Sequence, residues 1–165
     1  MINAVGLQNP GVEKVISHEL PLLKKCFDKP VMANVSGFSL EEYVYTCEKL
    51  DKEPQVGWLE VNISCPNVKH GGLAFGTDPN AAAEVTRAVK AVAGDKPVIM
   101  KLSPNVTDIV SIAKACKEGG ADGLSLINTL MGTAIDIERR CTKLSIGTGG
   151  LSGPCVKPVA LRMVM

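Results

Sequence analysis

The chain lacks an apolar run of membrane-spanning length, and it opens on no signal-peptide pattern. A reducing cytoplasm is the expected setting, with no membrane partner. It also lacks a basic stripe or a block of like charge: 18 Lys+Arg stand against 17 Asp+Glu, for a formal net charge of +1. Nucleic acid is therefore not an expected partner. No CxxC pair occurs among the six cysteines at positions 26, 47, 65, 116, 141 and 155, and that scatter argues against a zinc site and a disulfide framework. No metal is expected. Cys26, Cys47 and Cys116 fall in helix-like segments, where a reduced thiol behaves as a small buried hydrophobe. The 16 glycines and 10 prolines form no single biased run, which excludes collagen-like and disordered compositions.

What is present is enough for one domain: 165 residues, 45% of them hydrophobic. Strand-like runs alternate with amphipathic helical ones. PVMANVSG (30–37) reads as a strand, followed by a helix from Ser39 with Glu42 three residues on in a capping-box pattern. GWLEVNIS (57–64) is a second strand. After a Gly-rich loop, Asp78 and Pro79 open a helix that ends at Gly94. KPVIMKLS (96–103) is a third strand, and Thr107 is the expected cap of a helix that Gly119 and Gly120 stop. DGLSLIN (122–128) is a fourth strand, and a last helix starts near Gly153 and Pro154.

Such alternation predicts an α/β fold with a parallel sheet, either doubly wound or a (β/α)8 TIM barrel. Asn34, Ser36, Asn62, Cys65, Lys101, Ser103, Asn128 and Thr129 fall at or just past the C-terminal ends of the four strands. In a barrel those ends converge on one mouth, whereas a doubly wound sheet places its ligand at one switch point. The barrel is favoured. A complete one needs roughly 250 residues, so the chain is expected to be a partial barrel of roughly the central four strands, an internal segment of a longer protein.

Within NISCPNVKHGG, Cys65 lies between a strand end and a Pro-Asn turn, flanked by Asn62, Ser64 and Asn67. A thiol there can take a proton or attack a carbon; the usual fate of a free cysteine is instead to be buried. Asn3, Asn34, Asn62, Asn67 and Asn128 suit a planar amide-bearing ligand, because each offers a donor and an acceptor; alternatively they satisfy turn backbones. Lys101 interrupts an apolar strand. It can be a snorkelling lysine, a Schiff-base amine or a cation that stabilises negative charge. GTGGLSG (147–153) can present amides to an anion or serve as a plain loop. His70 reads as a loop residue, and His18 has no evident role.

NAVGLQNPG (3–11), ANVSG (33–37), NISCPNVKHGGLAFGTDP (62–79), KLSPNVTDI (101–109), INTLMG (127–132) and GGLSGP (149–154) together resemble the dihydroorotate dehydrogenases, in particular class 1B catalytic subunits. The resemblance runs over nearly the whole chain. It implies an FMN-containing (β/α)8 barrel that oxidises dihydroorotate to orotate in pyrimidine (UMP) biosynthesis, with residues 1–165 as a partial barrel domain. It further implies Cys65 as the base that takes the C5 proton while hydride leaves C6 for FMN. Asn3, Ala4, Val5, Gly6, Leu7, Asn62, Asn67, Asn128 and Thr129 correspond to the orotate-binding set. Asn34, Asn62, Lys101, Ile127 and Gly153 correspond to flavin contacts. The loop after Cys65, with Gly71, Gly72 and Gly76, corresponds to a lid. A homodimer of catalytic subunits with an electron-transfer subunit carrying FAD and a 2Fe-2S cluster is the implied assembly, passing electrons to NAD. The KHGG loop favours class 1B over the fumarate-using class 1A. The competing readings are a Schiff-base aldolase using Lys101 and an inactive truncated chain.

Overall fold

The computed structural model describes residues 1–64 and 75–165. A two-residue strand, β1 (Ile2–Asn3), precedes a loop and a helical segment. That segment comprises α1 (Val12–Lys14), a π-helical turn over Val15–Glu19 that contains His18, and α2 (Leu20–Lys24). Then come β2 (Val31–Val35), α3 (Leu40–Asp51), β3 (Val56–Asn62), α4 (Pro79–Val92), β4 (Val98–Lys101), α5 (Ile109–Glu118) and β5 (Gly123–Ser125). The last part holds β6 (Leu130–Gly132), β7 (Ile135–Asp136), β8 (Cys141–Thr142), β9 (Gly149–Leu151), a 3-10 turn (Pro154–Val156) and α6 (Lys157–Val164).

Helix starts follow local capping chemistry. Ser39 Oγ accepts from the Glu42 N–H at 3.3 Å, and the Glu42 carboxylate reaches back to the Phe38 N–H at 2.7 Å, one residue further out than the usual box. Asp78 accepts from the Ala81 N–H at 2.9 Å, with Pro79 at the first helical position. The α5 cap is Asp108 rather than the expected Thr107: its carboxylate accepts from the Val110 and Ser111 N–H groups at 3.0 and 3.3 Å. A charged acceptor at the positive end of the helix outcompetes the neighbouring hydroxyl.

Strands β2, β3, β4 and β5 pair in parallel and in sequence order. No reversal occurs among these four strands, so they contain no switch point of the doubly wound kind. Side chains alternate across the sheet. Val35, Leu59, Val61, Val98 and Met100 lie in the hydrophobic core with Cys47 and Leu50 of α3, Val85 and Val89 of α4, and Ile112 and Cys116 of α5. Each valine, leucine, isoleucine or methionine among them contributes about 1.5–3 kcal/mol on burial. At Gly119 a Cβ would lie 2.7 Å from Thr86 Cβ and 3.0 Å from the Ala83 carbonyl oxygen, so glycine permits α4 and α5 to approach.

Two further expectations are corrected, those for Cys26 and for the glycine run 147–153. Cys26 is exposed, because the chain leaves α2 before it, and its thiol donates to the Leu23 carbonyl at 3.3 Å; Cys47 and Cys116 are buried as expected. In the opening segment β1 pairs antiparallel with β9, which also pairs with β6. The glycine run 147–153 accordingly holds β9, not one continuous loop before a helix. No helix among the described residues is long and apolar enough to cross a membrane.

Candidate functional site

The sheet face opposite the core carries Met32 and Asn34 from β2, Trp58, Glu60 and Asn62 from β3, Ile99 and Lys101 from β4, and Ser125 from β5. The register aligns Asn34 with Glu60 and Ile99, and aligns Asn62 with Lys101 and Ser125. Its apolar members lie towards the strand N-termini. The polar ones gather at the C-terminal end.

Asn62 is 5% exposed and occupies the centre of one cluster. Its Oδ1 accepts from Asn128 Nδ2 at 2.9 Å and from the Ser64 N–H at 3.2 Å, and its Nδ2 donates to Ser36 Oγ at 3.4 Å. Its backbone carbonyl accepts from the Tyr43 hydroxyl at 2.7 Å, which ties the strand end to α3. Ser64 is held again through Oγ, which donates to the Lys101 carbonyl at 3.2 Å. Amides expected around a planar ligand thus also brace one another, since each carries a donor and an acceptor.

Glu60 organises the second cluster. One carboxylate oxygen accepts from Asn34 Nδ2 at 2.6 Å and lies 3.4 Å from Lys101 Nζ, and Ser125 also hydrogen-bonds the carboxylate. The side chains of Glu60 and Lys101 are 14% and 28% exposed. Burial pushes the Glu60 carboxyl up, but the bonds from Ser125 and Asn34 and the Lys101 charge outweigh it and hold the group below its ordinary value. Sequence reasoning singled out Lys101 and Asn34 and missed Glu60. The signal was present: a glutamate inside GWLEVNIS breaks an apolar strand as conspicuously as Lys101 breaks KPVIMKLS.

The remaining expected residues divide. Asn3 lies on β1 opposite Gly150, with Nδ2 3.5 Å from the Gly150 carbonyl. A Cβ at Gly150 would meet the Thr129 side chain, and one at Gly149 would lie 2.6 Å from the Asn3 carbonyl oxygen. Two glycines therefore bring Asn3 and Thr129 to the same strand. Asn105, which sequence reasoning passed over, donates to the Thr129 carbonyl at 3.0 Å and accepts from the Met131 N–H at 2.9 Å, so it holds this strand against the β4 loop. Asn128 Oδ1 accepts from the Thr129 N–H at 2.8 Å. Ile127, half-buried, follows a cis peptide after Leu126. Gly153 has φ +109° and precedes the 3-10 turn. Ala4, Val5, Gly6 and Leu7 form an exposed loop, with Gly6 and Leu7 at positive φ and Asn9 bracing it by a bond to the Leu7 carbonyl at 2.7 Å.

Cys65, Asn67, His70, Gly71 and Gly72 lie outside the described residues, and with them the expected base and most of the expected lid. A cavity of about 610 Å³ lies between the 6–12 loop, β2 and α3; it touches Gly6, Leu7, Asn34 and Ser36, beside apolar residues such as Val15 and Val31. Another of about 540 Å³ is formed by residues 104–112 and Thr77. The first borders both clusters, through Asn34, which Glu60 bonds, and Ser36, which Asn62 bonds; the second touches neither. No group of three potential metal-ligating residues occurs among the described residues.

A parallel sheet in chain order, with amides and a half-buried ion pair gathered at its C-terminal end, defines an α/β protein with a polar cluster at its strand ends. The chain belongs to the dihydroorotate dehydrogenase family: the profile described as "Dihydroorotate dehydrogenase" matches residues 1–165. It is 56% identical over 164 residues to the protein named "Dihydroorotate dehydrogenase B (NAD(+)), catalytic subunit" of Listeria innocua, covering 99% of this chain and 53% of that one. Proteins of the same name from Fusobacterium nucleatum and Anoxybacillus flavithermus are 57% and 58% identical over 99% of this chain, which covers 53% and 52% of them. The chain thus spans about half the length of the curated relatives it matches.

Proposed function

We propose that this chain forms part of the FMN-dependent catalytic subunit of an NAD-linked dihydroorotate dehydrogenase and oxidises dihydroorotate to orotate in pyrimidine biosynthesis. The observation that carries the reading is the gathering of Asn34, Asn62, Lys101 and Asn128 at the C-terminal ends of sequential parallel strands, in a chain whose whole length matches the family. The four strands are read as part of a (β/α)8 barrel, whose chemistry belongs at that end.

The donor set fits a flavin. An isoalloxazine ring carries carbonyl and ring-nitrogen acceptors and a ring N–H, and this end of the sheet offers the Lys101 ammonium, the Asn62 amide and the Asn34 amide. With its nitrogen committed to Glu60, Asn34 presents its carbonyl oxygen. Lys101, Asn34, Asn62, Ile127 and Gly153 would hold the cofactor, which when bound supplies the acceptor for the two electrons leaving the substrate.

The chain's own residues do the rest. Asn62, Asn67, Asn128 and Thr129, with Asn3 to Leu7, hold the substrate's amide edges, and orientation of this kind accounts for much of a barrier reduction. Cys65 removes the proton from C5 as base. Ser64, its chain neighbour, is fixed by Asn62 and the Lys101 carbonyl. The family match, together with a lysine already paired to Glu60, favours this reading over an aldolase. The relatives' name, catalytic subunit, supports a further subunit, here one carrying FAD and a 2Fe-2S cluster beside a homodimer of catalytic chains.

The test is the visible spectrum of the protein, purified with FMN and freed of unbound flavin, before and after anaerobic dihydroorotate. It is run on the 165-residue chain and on that chain completed to the relatives' length with their sequence. A retained band that bleaches in the completed protein is expected. A band that survives dihydroorotate there, or no retained flavin, overturns the reading.

A further inference from the structure

The geometry points to Glu60 as a positioning residue that sets both the flavin affinity and the flavin reduction potential of this site, by holding Asn34 and Lys101 through one carboxylate. The inference rests on the flavin reading above. Neither the residue nor this role follows from the correspondence of site residues, which includes Asn34 and Lys101 but not Glu60.

Three observations carry it. Glu60 bonds two of the expected flavin contacts through the same oxygen, Asn34 Nδ2 at 2.6 Å and Lys101 Nζ at 3.4 Å. Those partners lie on the flanking strands β2 and β4, so one side chain fixes the spacing of groups that no backbone bond joins directly. Finally, a carboxylate only 14% exposed in the middle of a parallel strand is costly to keep charged, and here it keeps three polar partners from β2, β4 and β5.

Two separate effects follow from the chemistry. Asn34, anchored by its nitrogen, turns its carbonyl oxygen outward, so loss of Glu60 frees the amide to rotate and weakens flavin binding. Lys101 faces the cofactor as a cation, and the Glu60 carboxylate offsets part of its field. Reduction adds negative charge to the ring, so removing that offset makes the ring easier to reduce.

The test uses FMN-loaded enzyme that passes the bleaching experiment, so a parent that fails to bleach counts against the flavin reading and not against Glu60. Glu60→Gln keeps the shape and removes the charge. It leaves Asn34 an acceptor, so FMN affinity by fluorescence titration should fall less than about threefold, while the midpoint potential should rise by about a tenfold shift in the oxidised-to-reduced ratio, about 30 mV for a two-electron couple; Glu60→Ala, which removes the acceptor as well, should weaken FMN binding about tenfold. In a Lys101→Met background the same substitution should give a smaller shift, the direct effect of the carboxylate charge alone, because its hold on the lysine is already gone. A structural role alone would not make the potential shift depend on Lys101. An unchanged potential in Glu60→Gln, or an equal shift with and without Lys101, overturns the inference. Should Glu60→Gln not retain flavin, Glu60→Asp decides: it keeps the charge and shortens the reach, so affinity should fall with the potential held within threefold in that ratio. Unchanged affinity, or a larger shift, overturns the inference.

Discussion

Asn128 and Asn62, 66 positions apart in the chain, meet amide to amide at 2.9 Å. The bond joins the segment after β5 to the end of β3 across the intervening β4. It also leaves the two side chains with little freedom to reorient. Asn128→Ala frees one Asn62 lone pair while the Ser64 N–H still occupies the carbonyl oxygen, so the fold should survive at a cost of about 1 kcal/mol. KM for dihydroorotate should rise about tenfold or more in the completed enzyme. A steady-state titration checks this, and unchanged KM would show that the pair is only a brace.

Asp122 ties β5 to its neighbours. Its Oδ2 accepts from the Val98 N–H at 2.7 Å and from Lys90 Nζ at 2.7 Å, and the Lys90 bond first, then the Val98 bond, hold the carboxyl below its ordinary value. A carboxyl depressed in the folded state stabilises above its unfolded pKa and loses that contribution as pH falls through the folded one. Asp122→Ala strands the N–H of fully buried Val98 and should cost about 1–3 kcal/mol in urea unfolding at pH 7. Asp122→Asn retains an acceptor and should cost less. Its difference from the parent should shrink below about pH 4, as the parent carboxylate protonates.

The sheet and its helices were legible because each strand carries a short apolar run bounded by glycine, proline or a cap. Ser39 and Asp78 cap the helices they were expected to cap. The second sheet was not legible, for physical reasons. Its strands read IN, LMG and GGL, too short for a period and rich in the residue least given to strands. They form because glycines let backbones meet, which is a tertiary fact. Glu60 was hidden for another reason: its strand shows a glutamate where Lys101 shows a lysine, but only the pairing of β3 with β4 places the two charges together.

Close approach at Gly150 makes the second sheet fragile to one added carbon. In Gly150→Ala the new methyl would lie 2.7 Å from Thr129 Cβ, so β6 and β9 must separate or Thr129 must turn. Overpacking of this kind costs about 1–3 kcal/mol. Because Asn3 and Thr129 flank the same glycine strand, substrate binding should suffer more than flavin binding. A raised KM with an unchanged FMN dissociation constant is the expected result. Equal loss of both would place the strand under the cofactor instead.

Thiol labelling tests the burial pattern directly. Among the described cysteines, Cys26, Cys141 and Cys155 are exposed and Cys47 and Cys116 are buried. Burial, then the Asp51 charge, pushes the Cys47 thiol up to about 12, and burial raises Cys116 against a hydrogen bond with Thr86. A thiolate is the reacting form, so both should resist an alkylating reagent at pH 8 while the three exposed thiols react, with mass spectrometry reporting each site. In urea all should react. A thiol raised on folding stabilises fully below its unfolded pKa and loses that contribution as pH rises through the folded value, so Cys47→Ala should narrow the loss of stability between about pH 9 and 12. Rapid native labelling of Cys47 would mean that α3 opens from the sheet, and would undercut the bond between Tyr43 and the Asn62 carbonyl on which the site's geometry depends.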